Sequence, residues 1–148
     1  MNVTAYDLAQ RFVGLKEVPG TGDNPQIMAM LKLDAAWPSN DEVPWCSAFV
    51  NYVAWLLRLP RSKDLRARSW LGVGRPIDLK DAVANWDIVI LNRGGPQDAS
   101  VLDAPGHVAF YSALEKGRIL CLGGNQSNSV SISRYDEADL LGVRRIYG

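Results

Sequence analysis

The chain has 148 residues, enough for one domain with its own core and too few for two ordinary ones. Hydrophobic residues make up 47% and charged residues 22%, a balance that excludes a disordered chain, and sixteen basic against sixteen acidic side chains leave no net field to draw the protein to nucleic acid. The opening MNVTAYDLAQRF has neither a basic n-region nor a long apolar run, and the longest apolar stretch, Phe49 to Leu57, is broken by Asn51 and too short to span a bilayer. The expectation is a monomeric protein made in the cytoplasm without a signal peptide and without membrane insertion, with residues 1–148 forming one domain.

The first half of the sequence reads as helical. Thr4 followed by Asp7 forms a capping-box start, and Leu8, Phe12 and Leu15 recur at helical spacing until Pro19 and Gly20. Asn24-Pro25 supplies an N-cap and a first-turn proline for a second helix through Ile27, Met28 and Leu31. A third begins near Pro44-Trp45-Cys46, with Phe49, Val50, Val53, Leu56 and Leu57 as its apolar face. A short helical piece from Leu65 to Trp70 stops at Gly72 and Gly74. Beyond it, Asp87 to Leu91, His107 to Tyr111, Arg118 to Leu122, Ser129 to Tyr135 and Gly142 to Tyr147 are short runs rich in Val, Ile and Tyr between turn residues, hence strands. Helices followed by strands predict an α+β fold, with helices packed on one side of an antiparallel sheet of about five strands. The stretch from Asn92 to Gly106 reads as a long loop, of the kind that often serves function.

Cys46 falls at a helix N-terminus, where unpaired backbone N–H groups and the helix dipole favour thiolate over thiol. His107 is the single histidine, so a Cys–His mechanism has one possible base. Such a base needs a third group to fix its ring, and Asn125 is the candidate, because a hairpin turning near Lys116-Gly117 brings the end of the RILCLGG run beside the start of the histidine strand. Each residue has a plainer reading: a cysteine between aromatics as core, a lone histidine as bystander, and GGNQSNS as an ordinary turn. It is the ordered set that points to chemistry. Cys121, inside an apolar run, reads as core, and neither cysteine is expected to form a disulfide. One histidine and two distant cysteines, with no CxxC, HExxH or EF-hand spacing, give no expectation of a metal, and the glycine pairs lack a phosphate-loop context, so no cofactor is expected.

Pro44-Trp45-Cys46-Ser47-Ala48-Phe49-Val50, Gly106-His107-Val108-Ala109-Phe110-Tyr111 and Gly123-Gly124-Asn125-Gln126-Ser127-Asn128-Ser129-Val130 resemble motifs of the papain-like cell-wall hydrolases known as CHAP and NlpC-type domains. The resemblance is strongest to a branch common among phage lysins. The Gly14 to Gly20 segment, Asn24 to Ile27, and Ala67 to Leu71 resemble further motifs of that branch, so the likeness runs along nearly the whole chain. Where the family commonly has Pro-Gly-Asp ahead of the strand preceding its histidine, this sequence has Asn85-Trp86-Asp87.

The resemblance implies a papain-like fold with Cys46 as nucleophile, His107 as general base and Asn125 as orienting residue, acting on an amide bond of bacterial peptidoglycan. It implies a phage endolysin that reaches the wall after release from the host cell. It leaves open whether the sugar-to-alanine amide or a bond within the peptide is cut. Candidate substrate contacts are Glu42, Trp45, Trp70, Gln126 and the loop from Asn92 to Gly106, with core packing as the competing role for both tryptophans. Competing functions are an inactive relative that binds wall fragments, a phage structural protein, and a secretion-system amidase toxin.

Overall fold

Local capping decides where the first helices begin in the computed structural model, which describes residues 3–20 and 22–147. Helix α1 (Ala5–Gln10) opens on the reciprocal capping box of Thr4 and Asp7, and α2 (Pro25–Leu31) on Asn24, whose side chain accepts from the N–H groups of Gln26 and Ile27. The apolar spacing predicts a longer first helix than the one that forms. Gly14, at φ +98°, turns the chain out of helical geometry, and the segment after it runs against the residues near 130: Gly14 N–H donates to Val130 O at 3.0 Å, Val130 N–H to Leu15 O at 2.7 Å and Glu17 N–H to Asn128 O at 2.9 Å. Phe12 and Leu15 keep the core-facing role their spacing predicts, without the helix.

Helix α3 (Cys46–Leu56) is the longest and is almost wholly buried on its inner face. A 3-10 helix (Ala67–Gly72) then leads into the sheet, whose strands are β1 (Arg75–Ile77), β2 (Asp87–Asn92), β3 (Gly106–Glu115), β4 (Arg118–Gln126), β5 (Ser129–Asp136) and β6 (Leu140–Arg145). Their order is β1-β6-β2-β3-β4-β5, with every neighbouring pair antiparallel. The fold is α+β as predicted, but with six strands; the additional one, β1, is a three-residue edge strand containing Pro76, too short to show a pattern in the sequence.

The sheet is buried on both faces. On the helical face, Phe49, Val50 and Val53 of α3 pack with Ile88, Ile90, Val108, Phe110 and Leu122. On the other face, Val89, Leu91, Ala109, Tyr111, Ile119, Cys121 and Val143 form a second core to which every strand contributes. Each large side chain buried this way contributes about 1.5–3 kcal/mol. Cys121 lies within the second core with no exposure, and burial pushes its thiol up to about 12.

Gly124 marks the place where β4 meets α3. A Cβ there would come within 2.7 Å of the Trp45 ring and 2.8 Å of Phe49 Cβ, so the strand reaches the helix only because no side chain intervenes. We expect Gly124→Ala to cost about 1–3 kcal/mol of stability through overpacking. Thermal melting should show the loss, while Gly72→Ala, whose methyl group would meet open space, should melt like the parent.

Candidate active site

Cys46 is the first residue of α3, and the residue in the N-cap position is Trp45, which offers no side-chain cap. A Ser, Thr, Asp or Asn there would consume first-turn N–H groups, whereas here they are left for other acceptors. The Trp45 indole is fully buried and held by its Nε1–H, which donates to Glu17 Oε2 at 2.9 Å. Cys46 itself retains 4% exposure. Burial is the largest single influence on its thiol and pushes the pKa up. The neighbouring His107 imidazole, as a hydrogen-bonding group and by its charge, and the backbone N–H groups of Val108 and Ser47 together outweigh burial and hold Cys46 below the ordinary thiol value.

His107 is 2% exposed, near the start of β3. Its Nε2 lies 2.9 Å from Gln126 Oε1. The Gln126 amide is oriented by its other end, because Nε2 donates to Cys121 O at 3.2 Å and to Ser131 O at 2.7 Å. Turning the amide over would set its oxygen against two carbonyl oxygens, so Oε1 must face the ring and His107 must carry its proton on Nε2. Nδ1 is then the nitrogen left to exchange a proton with the thiol, and it has no hydrogen-bond partner among the described residues. Tyr135 completes the group: its hydroxyl donates to Gln126 Oε1 at 3.0 Å, and its ring lies on the imidazole with centroids 5.1 Å apart.

Gln126, predicted as a substrate contact, thus occupies the place predicted for Asn125. The exchange follows from a bulge. Strands β4 and β5 pair Gly123 with Ser131 and then Gln126 with Ser129, so one extra residue is inserted in β4. Uninterrupted alternation from Cys121 would put Asn125 on the histidine's face. With Asn125 in the left-handed region at φ +58°, Gln126 takes that face instead and folds over Gly123, where a Cβ would come 2.8 Å from Gln126 Oε1. The Asn125 side chain is half-buried and makes no hydrogen bond among the described residues.

The remaining predicted contacts are placed elsewhere. Trp45 and Trp70 have no exposed surface, so neither lines a cleft; both are core, and Trp70 Nε1–H donates to Ser47 Oγ at 3.0 Å. Glu42 is exposed and forms no hydrogen bond with His107, whose one side-chain hydrogen-bond partner among the described residues is Gln126. The sequence reading missed Tyr135. The available signal was its position on a strand paired with the one that carries Gln126.

No family model matches the sequence, and no curated protein matches it. Among solved structures, NlpC1 and NlpC2 from Trichomonas vaginalis are similar in fold, each with a TM-score of 0.56, at 16% and 18% identity. Each likeness covers 97% of this chain but 43% and 45% of those proteins, so the chain spans less than half their length. At that identity the likeness is one of fold. Of the two domain types that the motifs resemble, the NlpC type is the one these neighbours match.

The hydrogen-bond pattern makes a spectroscopic prediction. In a 15N-labelled sample the neutral form of the single imidazole should carry its proton on Nε2. Gln126→Ala should abolish that preference and Asn125→Gly, which tolerates the left-handed backbone, should preserve it. A neutral ring protonated on Nδ1 in the parent protein would contradict the assignment.

Proposed function

We propose that the protein is a cysteine hydrolase of bacterial cell-wall peptides. The observation that carries this reading is the single imidazole, whose Nε2 is committed to Gln126 and whose Nδ1 has no hydrogen-bond partner among the described residues, beside a cysteine at the uncapped start of α3; the lowering of that thiol by His107 supports it. The motif resemblance and the NlpC-type fold direct the reading toward peptidoglycan.

In the proposed reaction His107 Nδ1 takes the thiol proton and the Cys46 sulfur attacks the amide carbonyl. Negative charge gathers on the carbonyl oxygen, and the uncapped start of α3, the Cys46 N–H included, supplies donors of the right polarity. The imidazolium returns its proton to the leaving amine, and water then hydrolyses the thioester with His107 again as base. Gln126 holds the ring throughout in the orientation that both transfers require. The setting we propose is a phage lysin acting on the wall after release, as an amidase or an endopeptidase.

One observation favours a second reading, in which the fold binds wall fragments without cutting them: Cys46 and His107 keep 4% and 2% exposure, little room for a substrate carbonyl. Purified peptidoglycan distinguishes the two. Mass spectrometry of the digest should reveal new amino termini and so identify the bond cut. Cys46→Ala should abolish release and His107→Ala should reduce it about 10²–10⁴-fold, the usual contribution of a general base. Cys121→Ser should stay active. Full turnover by Cys46→Ala would end the hydrolase reading.

The lowered thiol also fixes the sign of a pH effect. Thiolate persists below the ordinary thiol range and is lost only as pH falls through the depressed value, so iodoacetamide should modify Cys46 at lower pH than it modifies a free model thiol. His107→Ala removes the two largest influences that lower the thiol and leaves only the backbone N–H groups of Val108 and Ser47 to oppose burial, so the reactive range should move to higher pH. Equal alkylation profiles for parent and variant would show that the imidazole does not act on the sulfur.

A further inference from the structure

Cys46 and His107 belong to different elements, a helix and a strand, and one short segment is bonded to the helix and to the chain that leads into the strand. On the side of the nucleophile, the 3-10 helix Ala67–Gly72 places Trp70 Nε1–H on the hydroxyl of Ser47, the residue after Cys46. Ser47 Oγ in turn donates to Asp64 O at 2.5 Å, and Asn51, one turn along α3, accepts from Lys63 N–H at 3.0 Å. The start of α3 is therefore tied to the chain that leads into the 3-10 helix and to the 3-10 helix itself.

On the side of the base, the same segment supplies Arg68, which has no exposed surface. Its guanidinium has no carboxylate partner among the described residues. Nε and Nη2 both donate to Pro105 O, at 3.2 and 2.9 Å; Nη2 also reaches Asn92 Oδ1 at 2.8 Å and Pro96 O at 3.0 Å, and Nη1 reaches Asp98 O at 3.0 Å and Val101 O at 3.3 Å. These acceptors span the end of β2, the loop between β2 and β3, and the residue just before β3. Gly106 lies on the Arg68 stem, where a Cβ would be 3.0 Å from Arg68 Cγ, and His107 follows it directly. A buried cation is costly unless its donors are all met, and a planar fork can meet acceptors from several directions in one plane where an ammonium cannot. Packing alone would be served by an apolar side chain.

We propose that the 3-10 helix Ala67–Gly72 is the spacer that sets the geometry between the Cys46 sulfur and the His107 ring, with Trp70 positioning the nucleophile's helix and Arg68 positioning the base's strand. The inference rests on reading Cys46 and His107 as the working pair, and it is independent of which bond they cut.

The test uses Trp70→Phe, which keeps the ring and removes one donor, Arg68→Lys, which keeps the charge and removes the fork, and Arg68→Met, which removes both. Each is melted, and the pH profile of Cys46 alkylation by iodoacetamide is measured below its melting temperature. Both Trp70→Phe and Arg68→Lys should melt cooperatively yet alkylate about tenfold more slowly at any pH on the rising limb of the parent's profile, the equivalent of one pKa unit, with the profile moved toward that of His107→Ala. Arg68→Met should show the larger shift. Lower melting temperatures with profiles within twofold of the parent would overturn the proposal and leave these residues as packing. Collapse of both conservative variants would overturn it too, by making the segment a requirement of the fold and not a setting of the pair. Because the readout needs no substrate, a parent protein that fails to digest peptidoglycan would count against the proposed function alone.

Discussion

Four hydrogen bonds converge on the amide of Gln126, and they use its full capacity. Two carbonyl oxygens, of Cys121 and Ser131, occupy both N–H donors, while the His107 Nε2–H and the Tyr135 hydroxyl occupy the two lone-pair directions of the oxygen. A carboxylate in this position would face the two carbonyls without a proton to give them, so the site calls for a neutral amide even though its partner is a base. An asparagine would lack the methylene that lets one amide span its own strand, the neighbouring strand and the ring. The state of the imidazole is thus inherited from the backbone of β4 and β5, and through it the state of the thiol.

That dependence explains what could be read in the sequence and what could not. Helix starts were legible because capping is local: Thr4 with Asp7, and Asn24 with Pro25, carry their own instructions. Cys46 and His107 were legible because one cysteine opens a helix and there is one imidazole. The third member was not, because choosing between Asn125 and Gln126 is a question of strand parity, and a single bulged residue reverses parity. The Gly/Asn richness of the stretch from Gly123 to Asn128 signalled irregular backbone without saying where the extra residue would fall. Aromatic residues posed a similar ambiguity. Trp45 and Trp70 could line a cleft or fill a core, and the deciding facts, the oxygens of Glu17 and Ser47 within reach of their indole N–H groups, are contacts across 28 and 23 residues.

The motifs outside the site prove to be its frame. Glu17 holds the indole that precedes the nucleophile. Asp41, buried and in no salt bridge among the described residues, uses one carboxylate oxygen to accept from the N–H groups of Val18 and Asn24 at 2.9 and 2.8 Å, closing the chain around the entry to α2. Such bonds to backbone N–H groups replace lost hydration and make the buried charge tolerable. The same logic runs with opposite sign at Arg68, whose charge is met by carbonyl and amide oxygens. Polar side chains here organise irregular backbone, which has no ladder of its own to satisfy it.

Near-complete burial of the pair has two opposed effects on chemistry. It raises the thiol by withholding water from the thiolate, the largest single influence on Cys46. It also lowers the local dielectric, which strengthens the interaction with the imidazole and with every N–H dipole aimed at the sulfur. The second effect prevails only while the donors hold their places, since a misaligned partner loses its benefit and the desolvation cost stays. A solvent-exposed pair would tolerate loose geometry because water covers small errors. This one, dry and held between a helix and a strand, depends on the positioning of both, and that is why so much of the polar chemistry in the fold is spent on holding backbone in place around two side chains.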